Sequence, residues 1–305
     1  MLPKLIIILG PTAVGKSELA LELAAAIDGE IVNADSQQVY RYLDIGAGKP
    51  TKAERERIAH HLIDIVDPDE EFNAALFRRL ATASIEQIRG SGKAAIVCGG
   101  TGLYLKALTQ GLFEGPGQNG LIRRGLERRI EIEGLAPLYQ RLAEIDPVAA
   151  AAIHCNDRLR ITRALEVYQL TGKRLSVWQR EHGFHERQYD MLKIGVNRPR
   201  EELYAGINRR CERMVAEGLL GEVSGLVARG FALTLKPLSS IGYRQMGAVL
   251  EGRQALPEAL AEMKQQSRNY AKRQLTWFRR DPEIGWFHPE RKLEIFASVK
   301  RFLAR

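Results

Sequence analysis

The chain has 305 residues, 45% hydrophobic and 27% charged, the composition of a globular protein long enough for one large or two ordinary domains. Its formal net charge of +8 is unevenly spread: residues 1–110 carry 12 basic and 14 acidic side chains, and residues 111–305 carry 33 and 23. The longest aliphatic run, residues 5–9, is too short to cross a bilayer, and Cys98, Cys155 and Cys211 form neither a disulfide framework nor a zinc motif. The segment after Met1 lacks the charged leader and cleavage site of a secretory signal, so cytoplasmic residence and no membrane association are expected.

Residues 4–9, KLIIIL, stop at Gly10-Pro11 and predict a buried strand feeding a turn. Leu19, Leu23 and Ile27 recur at four-residue spacing and predict an amphipathic helix over 17–27. Strands are predicted at 30–33 (EIVN), 62–66 (LIDIV) and 94–98 (AAIVC), with a helix over 72–88. This alternation implies an α/β fold with a parallel, doubly wound sheet whose ligands lie at the strand C-termini. The Gly-rich stretch 111–120 loses periodicity and predicts a domain junction. Beyond it, helices are predicted at 121–133, 135–144, 147–153, 157–170, 200–217, 221–229 and 257–280, with one short strand at 191–196. Asn156 or Asp157 is the expected cap of the 157–170 helix, and Gly172 its stop.

Gly10, Pro11, Thr12, Ala13, Val14, Gly15, Lys16 and Ser17 match GxxxxGK[ST] between a strand and a helix, as a P-loop requires. Backbone N–H groups there form an anion nest, Lys16 reaches terminal phosphates, and Ser17 is the expected ligand of Mg²⁺. P-loop hydrolases carry an acid at the end of a later strand, whereas AAIVC runs into Gly99, Gly100 and Thr101. That favours transfer to an acceptor, with Asp64 as the acid in the alternative case. Asp35, just past EIVN, is placed to accept a proton or bind a metal, or else to cap a helix through DSQQ. Arg209, Arg210 and Arg213 share one helix, and Arg210 is a candidate diphosphate clamp unless these are surface groups. Residues 263–280 interleave Lys264, Arg268, Lys272, Arg273, Arg279 and Arg280 with Tyr270, Trp277 and Phe278. No acid interrupts them, a pattern that suits unpaired RNA bases or an ordinary basic amphipathic helix.

Six blocks together resemble the bacterial tRNA dimethylallyltransferases: GPTAVGKS at 10–17, NADSQQVYRYLDIG at 33–46, GGTGLYLKAL at 99–108, DPVAAAAIHCND with RITRALEVY at 146–168, SSIGYRQM at 239–246 and KRQLTWFRRD at 272–281. The resemblance implies a P-loop core over 1–114 and 191–305, interrupted by a mobile helical insertion over 115–190 that grips tRNA. It implies a monomer that moves a dimethylallyl group from dimethylallyl diphosphate to N6 of adenosine 37, beside the anticodon, in tRNAs reading codons that begin with U. Asp35 would be the general base and Thr101 would contact the same nucleotide, while Lys16, Arg210 and Ser17 through Mg²⁺ would stabilise the departing diphosphate. The anticodon stem-loop would run past Asp35, Ser36, Gln37, Gln38, Arg123, Leu159, Arg160, Ile161, Thr162 and Arg163. The path would continue over Ser239, Ser240, Ile241, Gly242, Tyr243 and Arg244, then Lys272, Arg273, Gln274, Leu275, Thr276, Trp277, Phe278 and Arg279. Two segments depart from the family pattern: Gly206 stands where relatives usually carry an arginine one turn before Arg210, and IGAGKP at 45–50 replaces IGTAKP, with Ala47 and Gly48 as the changed residues. A small-molecule or nucleoside kinase is the main alternative, and a non-catalytic RNA-binding protein the second.

Overall fold

A computed structural model describes residues 2–113, 115–183 and 187–305, so the boundary expected at residue 114 lies outside the described residues. The chain forms two compact units, Met1–Thr109 with Arg187–Arg305, and Gln110–Glu186. The first segment of the larger unit holds β1 (Lys4–Leu9), α1 (Lys16–Ala26), β2 (Gly29–Asn33), α2 (Lys52–Arg57), β3 (His60–His61), α3 (Ala74–Gly90), β4 (Ala94–Gly99) and α4 (Gly102–Gln110). The smaller unit holds α5 (Gly120–Glu133), α6 (Ala136–Ile145), α7 (Pro147–Ala152), α8 (Arg158–Thr171) and α9 (Leu175–His182). The chain then returns through β5 (Asp190–Val196), α10 (Arg200–Ala216), α11 (Leu219–Ala228), α12 (Tyr243–Leu250), α13 (Leu256–Phe278), β6 (Gly285–Phe287) and α14 (Lys292–Ala304).

Six strands form one parallel sheet in the order β3-β2-β4-β1-β5-β6. The apolar run of β1 is buried from Leu5 to Leu9, as a central strand covered on both faces must be. The doubly wound expectation is therefore met, and the order brings the carboxyl ends of β2, β4 and β1 side by side.

The LIDIV segment is not a strand. The ladder beside β2 ends at His61, after which Leu62 (φ 64) and Asp64 (φ 57) turn left-handed and Ile65 and Val66 bond back to Val39. A short apolar segment alone does not reveal this turn, because its stability comes from the 38–40 segment to which it is bonded.

The smaller unit has its own core of Leu126, Leu138, Leu142, Ile161, Leu165 and Val167. Asp157 caps α8 and Gly172 ends it in the left-handed conformation. Asp146, 1% exposed, accepts from Ala149 N–H at 3.1 Å and from Ser176 Oγ at 2.6 Å, joining the starts of α7 and α9.

Candidate active site

Three turns converge at the carboxyl edge of the large unit: the P-loop after β1, residues 35–38 after β2, and Gly100-Thr101 after β4. In the P-loop, Ala13 (φ 62) and Gly15 (φ 100) are left-handed, and this alternation of hand makes a nest of backbone donors. Helix α1 starts at Lys16, which adds the positive end of its dipole. The Lys16 Nζ donates to the Pro11 carbonyl at 2.6 Å, folding the side chain back over the loop. Loss of hydration lowers its pKa to about 8. Cys98 and Asp35 oppose that shift, and the Arg210 charge adds to it. Burial pushes the nearby Cys98 thiol up to about 11, so it stays neutral at physiological pH.

Asp35 Oδ1 accepts from the Gln37 N–H at 2.8 Å, so the side chain closes a turn rather than capping a helix. The next residue, Ser36, donates its N–H to Thr101 Oγ1 at 3.1 Å, which ties the two turns together. Tyr270 shares a hydrogen bond with Thr101, and burial followed by the Asp35 charge raises the phenol pKa.

Arg210 reaches this centre from α10. Burial lowers its pKa, with Asp35 as the opposing charge. Its guanidinium lies against the 44–50 loop, where a Cβ on Gly48 (φ +60) would sit 2.3 Å from Nη2. The left-handed φ at Gly48 suits glycine, while the contact itself is with the flexible end of Arg210, which a small shift would relieve. At Gly206 a Cβ would make only an ordinary contact, with the Ala13 carbonyl at 3.5 Å.

The 44–50 loop is held from both sides. The Gln38 amide donates to the carbonyls of Ala47 (3.3 Å) and Gly48 (3.0 Å). Glu222 accepts the N–H groups of Asp44, Ile45 and Gly46 at 3.0, 2.7 and 3.1 Å, and the Tyr243 hydroxyl at 2.6 Å. Lys49 pairs with Asp64 and with Asp44 at 2.7 Å, and Asp64 also binds Arg55 at 2.6 Å. Burial alone would raise the Asp64 pKa, but Lys49 and Arg55 hold it below the ordinary value. Asp64 therefore belongs to a loop-anchoring ion cluster, not to the end of a strand as an alternative catalytic acid.

Cavities connect these parts. One of about 980 Å³ lies over the P-loop and is also lined by Lys49, Gly206, Arg209, Arg210 and Arg213. A second, about 290 Å³, is lined by Asp35, Gln37, Met214, Ser239, Ile241 and Tyr270 among others. A third, about 80 Å³, shares Lys16 and Ser17 with the first and Asp35 and Tyr270 with the second, while Arg210 lines all three. The basic chamber and the mixed polar and apolar chamber therefore adjoin at Lys16, Asp35 and Arg210.

The described residues include no cluster of three His, Cys, Asp or Glu side chains able to hold a metal by themselves. The Ser17 hydroxyl beside a phosphate nest does suit a hard cation that arrives with substrate oxygens and keeps its waters.

Residues expected along a nucleic-acid path divide by exposure. On α13, Lys272, Arg273, Thr276, Trp277 and Arg279 are exposed, Leu275 is half-buried, and Gln274 and Phe278 are buried. Of the three aromatics there, only Trp277 faces solvent, while Tyr270 lines cavities. Ser239 and Arg244 are exposed, Ser240 and Ile241 are half-buried, and Gly242 and Tyr243 are buried. Tyr243, at 0% exposure, supports the 44–50 loop through Glu222 and does not line a surface. The sequence pattern misses Glu222 because its partners are backbone N–H groups some 180 residues away, at separations of 176 to 178.

In the smaller unit, Leu159 (82% exposed) and Arg160 are exposed, whereas Ile161 and Thr162 are buried. Arg123 and Arg163 are committed inward: Glu166, 0% exposed, accepts from Arg123 Nε at 3.0 Å, Arg163 Nη1 at 2.8 Å and the Asn119 N–H at 2.7 Å. Burial would raise the Glu166 pKa, but the two arginines win and hold it low. Its stabilisation is therefore complete above the unfolded carboxyl range near 4.5 and is lost as pH falls through the lower folded value. Glu166→Gln is expected to cost about 1.5–3 kcal/mol, read as a lower denaturant midpoint. The partly exposed arginines can rehydrate, which keeps the loss below that of a fully buried pair.

The model of the IPP transferase family matches residues 38–281. The tRNA dimethylallyltransferase of Geobacter metallireducens is 53% identical over 300 residues, spanning 98% of this chain and 97% of the relative. Among solved structures, the full-length tRNA isopentenylpyrophosphate transferase of Bacillus halodurans is 40% identical at a TM-score of 0.74, covering 99% of this chain and 97% of its own. A eukaryotic dimethylallyltransferase acting on tRNA is 31% identical at a TM-score of 0.77, over 94% of this chain and 74% of its own. Agreement in sequence and fold along nearly the entire length, from the P-loop to α13, means that the chain belongs to the IPP transferase family.

Proposed function

We propose that this protein transfers the dimethylallyl group of dimethylallyl diphosphate to N6 of adenosine 37, beside the anticodon of tRNAs that read codons beginning with U. The observation that carries this reading is the meeting of two unlike chambers at Asp35, Lys16 and Arg210. The basic chamber over the P-loop suits a diphosphate, and the chamber lined by Asp35, Tyr270 and Ile241 suits an unstacked base. The amine of N6 attacks the allylic carbon, the C–N bond forms as the C–O bond to diphosphate breaks, and the N6 proton passes to the Asp35 carboxylate. Lys16, Arg210 and the P-loop amides receive the charge that develops on the departing oxygen. Mg²⁺ held by Ser17 and the diphosphate oxygens would neutralise further charge on the leaving group. Thr101, bonded to the Ser36 backbone and to Tyr270, orients the base beside Asp35.

The exposed Lys272, Arg273, Trp277 and Arg279 on α13 offer phosphate contacts and a stacking surface to the RNA. The paired Arg123 and Arg163 contribute field rather than free side chains. The kinase alternative is not favoured, because the full-length relatives bear transferase names.

Purified protein incubated with Mg²⁺, labelled dimethylallyl diphosphate and unmodified tRNA should move label into RNA, and shortening the anticodon loop should abolish transfer. Phosphorylation of a small acceptor from ATP, with no label in RNA, would replace this reading by the kinase. The KM for dimethylallyl diphosphate should rise as pH climbs through about 8, because Lys16 is protonated below that value and neutral above it. A KM unchanged between pH 7 and 9 would remove Lys16 as the titrating contact.

A further inference from the structure

Gln274 sits where the RNA-facing helix meets the two loops that carry the chemistry. It is 6% exposed, and its amide is used at both ends: Oε1 accepts the Thr12 N–H of the P-loop at 2.9 Å, and Nε2 donates to the Gly100 carbonyl at 2.8 Å. The fit is close, since a Cβ on Gly100 would lie 2.3 Å from Nε2. One turn earlier on the same helix, Tyr270 touches Thr101 and lines two of the cavities. The exposed residues Arg273 and Trp277 flank Gln274 on the outer face.

We propose that Gln274 is a positioning residue of the transfer reaction, a strut that fixes the spacing between the phosphate nest and the Thr101 turn. This inference rests on the transferase reading. One face of α13 then meets RNA while the other registers the two substrate-holding loops, so the distance from the allylic carbon to the base amine is set partly by a side chain whose amide is bonded to both loops at the wall of the small cavity. A methionine has nearly the same length and volume but offers neither a donor nor a strong acceptor. Glutamic acid reproduces both bonds only in its protonated form, because the carboxylate repels the Gly100 carbonyl.

The test compares wild type, Gln274→Met and Gln274→Glu for label transfer, tRNA affinity and thermal unfolding. Gln274→Met is expected to lower kcat about 100-fold, the effect of a misplacement of about 1 Å. Its KM for dimethylallyl diphosphate and its tRNA affinity should stay near wild type, while its unfolding midpoint falls modestly, because a buried donor and a buried acceptor lose their partner. Gln274→Glu should recover as the solution is acidified, so that its rate divided by the wild-type rate at the same pH rises between pH 8 and 6. A Gln274→Met kcat within about threefold of wild type overturns the proposal. If Gln274→Met does not fold, a flat pH ratio for Gln274→Glu overturns it and a rising ratio supports it. Absence of transfer by wild type would instead count against the transferase reading itself.

Discussion

Asp35→Asn is expected to lower dimethylallyl transfer by about 10²–10⁴-fold while leaving tRNA affinity unchanged. Asparagine keeps an oxygen able to accept the Gln37 N–H, so the 35–38 turn and its tie to Thr101 persist. What disappears is the proton acceptor, without which the exocyclic amine must attack while carrying a growing positive charge. A second consequence is electrostatic. The Asp35 charge helps keep Lys16 protonated, so the variant should lose diphosphate affinity at lower pH than wild type does. Measured near pH 6.5, where Lys16 remains charged in both proteins, the loss should fall almost wholly on kcat. Near-normal transfer by Asp35→Asn would move the base elsewhere.

Lys16→Met is the second large effect: kcat/KM for dimethylallyl diphosphate should fall about 10²–10³-fold, the scale for removing one preorganised charge donor at a leaving group. Methionine fills much of the same space, so the P-loop should keep its shape. The rise of KM with pH through about 8 should vanish in this variant, because the group that titrates is gone. Binding of tRNA should be unaffected, since Lys16 lines the phosphate chamber and the small chamber beside it but not the larger base chamber. A Lys16→Met enzyme that retains the pH dependence would assign it to another group.

Much of this architecture is legible in the sequence because local pattern and tertiary role agree there. KLIIIL is apolar throughout because β1 is covered on both faces, and GPTAVGKS specifies its own turn and the helix that follows. Helix α8 falls where its cap and stop residues place it. Legibility fails where a distant partner decides. LIDIV looks like a strand, but residues 62–66 fold back on the 38–40 segment, and Asp64 is drawn into ion pairs with Lys49 and Arg55. β6, of three residues, and α12, of eight, are too short to be read alone. The SSIGYRQ and KRQLTWF blocks carry the family resemblance but do not show which of their side chains are exposed. Tyr243 and Gln274 look like surface recognition groups, yet they are buried and serve the loops beneath. A motif reports that a segment matters, whereas only the packing tells which of its side chains faces the substrate.

The most direct test of the central claim is a single-turnover reaction of wild-type protein with dimethylallyl diphosphate and an unmodified anticodon stem-loop RNA, followed by digestion to nucleosides and mass spectrometry. The expected result is one dimethylallyl group on N6 of the adenosine beside the anticodon, with one diphosphate released per group transferred. Diphosphate released without an RNA adduct, or an adduct on any other atom, would contradict the placement of the base amine between Asp35 and the phosphate chamber.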